Sequence, residues 1–320
     1  MAAQARMRSA RVLVVHLGAL GTEITKNLVL SGIGSLCIID DKVVSTQDLE
    51  TQFFVGKEEV GIKRLAAAAP RIQDMNPRVN LDFVAEDFRN KPDSYFQQFD
   101  LIVATDLDSF EITKINNISR KFSLPLFVAG LNGLSGYIFV DLIQFDATDD
   151  KLKSSMPTSV GQVSERRDVL TVLDHYNEEQ NKTYEQIVTR NIYVPFEKMV
   201  REGTLKGKLT KRQLKRLTNA VPLTLALLYG TEGSKHVTSE ILKEKAKKMC
   251  VQLGLLPENL QQRYIDQFSE QAGLEFAPVA AILGGAVAQD VINILGKKQS
   301  PLNNFVVLDG ISLDMHIFEL

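Results

Sequence analysis

The residues with the clearest chemical meaning follow the first apolar run of the chain. Arg11–Val15 leads into His16-Leu17-Gly18-Ala19-Leu20-Gly21. A unit that binds a dinucleotide or ATP wants Gly-x-Gly-x-x-Gly at this point. The first glycine makes the tight turn, the second lets a phosphate approach, and the third lets the helix pack on the strand. Gly18 and Gly21 hold the second and third positions, but His16 stands in the first. The motif therefore points to a fold more than to a bound nucleotide, and His16 reads as a packed turn residue. Asp40 closes the next apolar run, where a carboxylate would bond a ribose hydroxyl. A strand-end cap fits Asp40 equally well.

No hydrolase or metal constellation accompanies this turn. His16, His175, His236 and His316 lack ligand spacing, and two cysteines cannot build a four-thiolate zinc site. Cys37 lies in an apolar run, where a thiol is usually inert, and Cys250 lies in a lysine-rich helical stretch beside Leu253. Neither is expected to act as a nucleophile.

The elements that must position the turn alternate. Short apolar runs at Arg11–Val15, 36–39, 79–84, Leu101–Thr105 and 126–129 are separated by helical spacing at 20–28, 58–75 and 110–122. Pro70 is expected to kink or split the second of these helices. This order predicts an α/β fold: a Rossmann-like, mostly parallel sheet with helices on both faces. A strand-like run at 137–145 leads out of the unit. From there to about residue 271 the chain is polar and charge-rich, with helical stretches at 214–228 and 240–253, and reads as a mostly helical insertion. Within it, 205–217 carries six cations and no acid, first a solvated face and second a docking surface for an acidic partner. The segment 273–296 is an apolar helix that returns to the first domain, and Asp309-Gly310 marks a closing hairpin. The expected division is a sheet domain from 1–146 and 272–320, interrupted by the insertion 147–271.

Composition is consistent with this reading. Of 320 residues, 44% are hydrophobic and 24% charged, as in globular domains, and the net charge of −2 favours neither nucleic acid nor an anionic membrane as partner. The N-terminal residues contain no apolar h-region. The strictly apolar part of the late helix, 277–288, falls short of the roughly 20 residues of a membrane span, and is expected in a core.

The glycine turn at 18–21, Ile39-Asp40, Gln52-Phe53-Phe54, Val60-Gly61, Ala104-Thr105-Asp106, Val128-Ala129-Gly130 and the helix after Phe276-Ala-Pro occur in one order. Over nearly the whole chain this resembles the ThiF/MoeB-like adenylation fold of the ubiquitin-like protein activating enzymes. Within that superfamily the chain is most similar to the smaller, non-catalytic subunit of heterodimeric SUMO-activating enzymes, the fungal forms in particular. Leu214-Lys-Arg-Leu, Pro222-Leu-Thr-Leu and Pro301-Leu-Asn-Asn-Phe carry this finer likeness.

The resemblance implies a division of labour. A larger catalytic subunit holds ATP and magnesium, adenylates SUMO and carries the thioester cysteine. This chain completes the heterodimer in the nucleus, supports that site and binds no cofactor alone. The active subunits' Asn-x-x-Arg-Gln-Phe signature reads Asp48-Leu49-Glu50-Thr51-Gln52-Phe53 here. Thr51 cannot supply the bidentate donors of the arginine it replaces. The phosphate-contacting lysine falls near Arg64 and the magnesium-side aspartate on Asp106. Gly18, Gly21, Asp40, Arg64 and Asp106 thus form a degenerate nucleotide site, and Gln52, Phe53 and Phe54 are expected at the partner interface. Relatives also begin with a Tyr-Asp-Arg-Gln segment whose arginine reaches the partner's ATP. This sequence starts after the equivalent point, which leaves either a truncated chain or a misplaced start. A free-standing MoeB- or ThiF-like adenylating enzyme is the alternative, disfavoured by Thr51, the missing zinc cysteines and the long insertion. The corresponding neddylation subunit carries a larger insertion, and a nicotinamide oxidoreductase would lack its hydride-site pair.

Overall fold

The computed structural model describes residues 2–230, 237–297, 299 and 301–320. Helix α1 spans Ala2–Ser9. Strand β1 (Arg11–Val15), helix α2 (Ala19–Ser31), β2 (Ser35–Ile39), the short α3 (Asp48–Thr51), α4 (Arg64–Met75) and β3 (Asn80–Val84) make the first half of the sheet unit. β4 (Leu101–Thr105), α5 (Ser109–Lys121), β5 (Leu126–Asn132) and β6 (Ser135–Asp141) continue it. A second sheet follows as β7 (Gln144–Leu152), β8 (Gly161–Ser164), β9 (Arg167–Asn177) and β10 (Lys182–Ile192). Helices α6 (Phe196–Glu202), α7 (Lys211–Leu214), α8 (Ala220–Leu228), α9 (Ser239–Leu253) and α10 (Gln262–Glu270) then precede the long α11 (Ala277–Gly296), and β11 (Phe305–Asp309) and β12 (Asp314–Phe318) end the chain.

The main sheet has eight strands in the order β12-β11-β6-β5-β4-β1-β2-β3. The five from β3 to β5 are parallel, and β6, β11 and β12 pair antiparallel. Strands buried on both faces read as unbroken apolar runs, which is why Val12–Val15 and Leu101–Ala104 show no alternation in sequence. Their side chains nevertheless alternate in space. Leu13 and Val15 join one core with Ile102 and Ala104, while Val12 and Val14 join the other with Leu101 and Val103. Leu20, Ile24 and Leu28 of α2, Leu65 and Ile72 of α4, and Val279, Leu283 and Val287 of α11 cover the second face. Helices α5, α6, α8, α9 and α10 cover the first. α11 is the one helix among the described residues long and apolar enough to cross a membrane; it lies against α2 with over half its residues buried.

The insertion, expected to be mostly helical, also holds a sheet. Residues 144–192 form an antiparallel sheet in the order β7-β10-β9-β8, and helices begin only at Phe196. Strands β7 and β9 are largely wet, and the alternating buried positions of β10 are Glu185, Ile187, Thr189 and Asn191, so even a half-buried strand shows little apolar alternation. Backbone pairing is accompanied by cross-strand charge pairs: Arg190 lies opposite Asp146 and donates to it through Nε at 2.8 Å and Nη2 at 2.7 Å. The insertion helices are not a separate body either, because they share a core with β4, β5 and β6. Pro70 does not split α4, which runs through it from Arg64. The helix expected over 214–228 is two pieces, α7 and α8.

A buried polar joint fastens α6 to the sheet. Asp141, fully buried at the end of β6, accepts from Arg120 Nε at 2.6 Å, Asn116 Nδ2 at 2.7 Å and Ile143 N at 2.9 Å. Arg120 also donates to Tyr193 O, and Asn116 Oδ1 accepts from Phe196 N, both at 2.8 Å. Removing one member of a buried charged pair strands the other, at a cost of about 3–5 kcal/mol. Asp141→Ala should therefore lower stability by about 3 kcal/mol in urea denaturation. A loss of less than about 1 kcal/mol, the scale of a surface ion pair, would show that the joint carries no such load.

Candidate functional site

The site forms where strand order reverses, at the carboxyl ends of β1 and β4, the usual ligand crevice of an open α/β sheet. His16 ends β1 with φ 67°, the left-handed conformation that a first glycine would adopt without strain. Its N–H donates to Ile39 O at 2.9 Å, its Nδ1 lies 3.2 Å from Thr105 O, and its ring meets Phe88 edge-on. Burial, with the Lys42 charge adding to it, pushes the imidazole pKa down to about 4, so the ring is neutral near pH 7. The expected packed turn residue is what stands there. Gly21 faces the same turn so closely that a Cβ would collide with His16 O.

Asp40 is spent on structure. It is 1% exposed, and its oxygens accept from Leu17 N at 2.7 Å, Lys42 N at 2.7 Å and Arg64 NH1 at 3.0 Å. Burial works against its ionised form, yet the Arg64 guanidinium and the two backbone N–H groups outweigh it and hold the carboxyl below its usual range. Arg64 bridges on to Asp48 at 2.9 Å. Burial disfavours its charge, and the two aspartates more than restore it. The guanidinium expected near a phosphate thus ties β2 to α3 and α4.

Gly18 caps α2 without a side chain. The first helical N–H, that of Ala19, donates to Glu275 Oε1 at 2.9 Å. The other oxygen of that carboxylate accepts from Thr51 Oγ1 at 3.0 Å. Asp106, itself at φ 56°, stands on the same side: a Cβ on Gly18 would lie 2.9 Å from its Oδ2 and would collide with Glu275 Oε1. Two carboxylates therefore surround the glycine at which a phosphate would approach.

A family model described as ThiF family matches residues 1–320. The DNA damage tolerance protein RHC31 of Saccharomyces cerevisiae is 52% identical over 322 residues, covering 100% of this chain and 93% of that one. SUMO-activating enzyme subunit 1 of Mus musculus is 31% identical, covering 96% and 87%. The chain belongs to the ThiF family, in the group of SUMO-activating enzyme subunit 1. Among solved structures, E. coli MccB with MccA-N7isoASN superposes with a TM-score of 0.53 at 14% identity, covering 99% of this chain and 66% of that one, a likeness of fold alone.

ThiF-family chemistry implies ATP and magnesium, and the residues here do not fit them. The start of α2, where a phosphate would meet backbone N–H groups, is taken by a carboxylate. Arg64 is engaged by Asp40 and Asp48, and Arg89 at the rim by Asp87 and Glu111. No group of three or more side chains that could hold a metal ion occurs around Asp106 or elsewhere among the described residues. The adjoining cleft, about 370 Å³, is lined by Asp41, Asp106, Asp108 and Glu111, by the cations Lys42 and Arg89, and by Leu131 and Tyr137, so its carboxylates outnumber its cations. The two cysteines are buried, and burial raises each thiol to about 11, far from thiolate chemistry at neutral pH. His16, His175 and His316 share no site; His236 lies outside the described residues.

The interface expectation narrows. Gln52 is buried, accepting from Thr22 Oγ1 at 2.9 Å and donating to Leu17 O. Phe54 is core, whereas Phe53 stays 48% exposed with Lys26 over its ring. Of the three, only Phe53 is exposed at the surface. Glu275 was not legible as a site residue, because it sits 256 positions from the N–H it caps and follows no motif.

The histidine supplies a pH test. Its folded pKa of about 4 lies below the ordinary 6.5, so only the unfolded chain takes up a proton between those values. Stability from this group is complete above pH 6.5 and is lost as pH falls through 4, about 3 kcal/mol in all. His16→Asn, which tolerates the left-handed turn, should flatten the acid limb of a denaturation-versus-pH series by about that amount. A parallel limb in the variant would show that His16 is already protonated in the fold.

Proposed function

We propose that this chain is the smaller, non-catalytic subunit of a SUMO-activating heterodimer, working in the nucleus beside a larger subunit that holds ATP and magnesium and carries the thioester cysteine. The observation that carries the reading is the Glu275 carboxylate on the first N–H of α2, where an adenylating subunit needs a phosphate. Thr51 in the arginine position and the neutral, buried cysteines support it. The relatives named SUMO-activating enzyme subunit 1 supply the pathway, and those named for DNA damage tolerance support a nuclear workplace. The chain's own task is then structural: a rigid sheet whose degenerate site needs no ligand to hold its shape, offering Phe53 and neighbouring surface to the partner.

The test is reconstitution of the full chain with a larger subunit, SUMO and ATP, followed on a non-reducing gel. The thioester adduct should need both subunits. It should form at an unchanged rate with Cys37→Ala or Cys250→Ser, since neither thiol is available as a nucleophile. Loss of the adduct in either variant, with its melting transition intact, would assign the chemistry to this chain.

A further inference from the structure

The misfit between the site and a nucleotide has an organisation of its own. Glu275 immediately precedes the residue that caps α11, and α11 packs along α2. The closing helix of the sheet unit thus delivers a carboxylate to the start of its opening helix. Both oxygens are used, one by Ala19 N and one by Thr51 Oγ1. Gly18 contributes no side-chain cap, and its bare Cα leaves the room that the carboxylate occupies. Arg64, whose charge Glu275 also favours, is held away by its two aspartates.

We propose that Glu275 is an internal phosphate surrogate: its carboxylate occupies the anion position at the α2 N-terminus and, together with the exchange of arginine for Thr51, locks the site against nucleotide. This rests on the reading of the chain as a subunit without a nucleotide of its own. A helix N-terminus attracts one anion through its N–H groups and dipole, and a phosphate arriving here meets a like charge already in place. Thr51 is the complementary partner because its hydroxyl donates to the carboxylate without neutralising it. An arginine restored at 51 in the presence of Glu275 would pair with that carboxylate and remain unavailable to a phosphate. Repair of the site therefore requires both changes.

The experiment is calorimetric titration of Mg-ATP, and separately of inorganic phosphate, into the full chain. The proteins are wild type, Thr51→Arg, Thr51→Arg/Glu275→Ala and Thr51→Arg/Glu275→Gln, each checked for an intact melting transition. Wild type and Thr51→Arg should give no binding at ligand concentrations on the order of 1 mM. Thr51→Arg/Glu275→Ala should bind Mg-ATP at least about tenfold more tightly than Thr51→Arg. The glutamine variant keeps an acceptor for Ala19 N and Thr51's replacement while removing the charge. It should also bind more tightly than Thr51→Arg, and it decides the matter if the alanine variant unfolds. Equal affinity in Thr51→Arg and the double variants, or no binding in a folded glutamine variant, would overturn the surrogate and leave Glu275 as a helix cap alone. Binding by wild type itself would instead overturn the reading of the chain as nucleotide-free, and the thioester assay tests that reading separately.

Discussion

The first N–H groups of α2 point into the crevice where the sheet reverses its strand order, and they have no partners within their own helix. Something with lone pairs, preferably negative, has to meet them. An enzyme that adenylates leaves this demand to be met by a substrate phosphate. Here it is met from within by Glu275, carried 256 residues along the chain to Ala19. The close packing of α11 on α2 is what makes the contact possible, so helix packing and the chemistry of the site are one constraint.

The surrounding charges follow the same logic. In a working phosphate site guanidinium groups must be free to turn toward the ligand. Arg64 is instead 8% exposed between Asp40 and Asp48, and those aspartates are further satisfied by Leu17 N, Lys42 N and Ser45. Buried ion pairs of this kind add little net stability, because desolvation offsets their attraction. What they impose is geometry: they set the ends of β2, α3 and α4 relative to the β1 turn. A degenerate site can thus remain a well-formed scaffold, with Phe53 left outside the core by the same loop that buries Gln52 and Phe54.

The insertion divides into two physical regimes. Its helices α6 to α10 extend the core over one face of the sheet, anchored through Asp141, Asn116 and Arg120. Its strands form a mostly wet sheet held by backbone pairing and charge pairs such as Arg190 with Asp146. The first regime responds to loss of buried area, the second to ionic strength.

Sequence alone determined what depends on local pattern. Buried parallel strands must be apolar throughout and amphipathic helices must repeat near 3.6 residues, so β1, β2, β4, α2 and the return helix α11 were legible, as was the hairpin turn at Gly310. The loss of the phosphate arginine was legible too, since Thr51 cannot do what a guanidinium does, whereas His16 takes the left-handed turn that a glycine would. Local pattern showed little of the strands from 144 to 192, because three of the four buried positions of β10, Glu185, Thr189 and Asn191, are polar and the flanking strands are largely wet. Whether Asp40 served a ribose or the loop, whether Arg64 faced a phosphate or two aspartates, and what met the N-terminus of α2 were decided only by tertiary structure. Each depends on which side chains distant in sequence arrive within about 3 Å, the range over which a hydrogen bond or an ion pair acts.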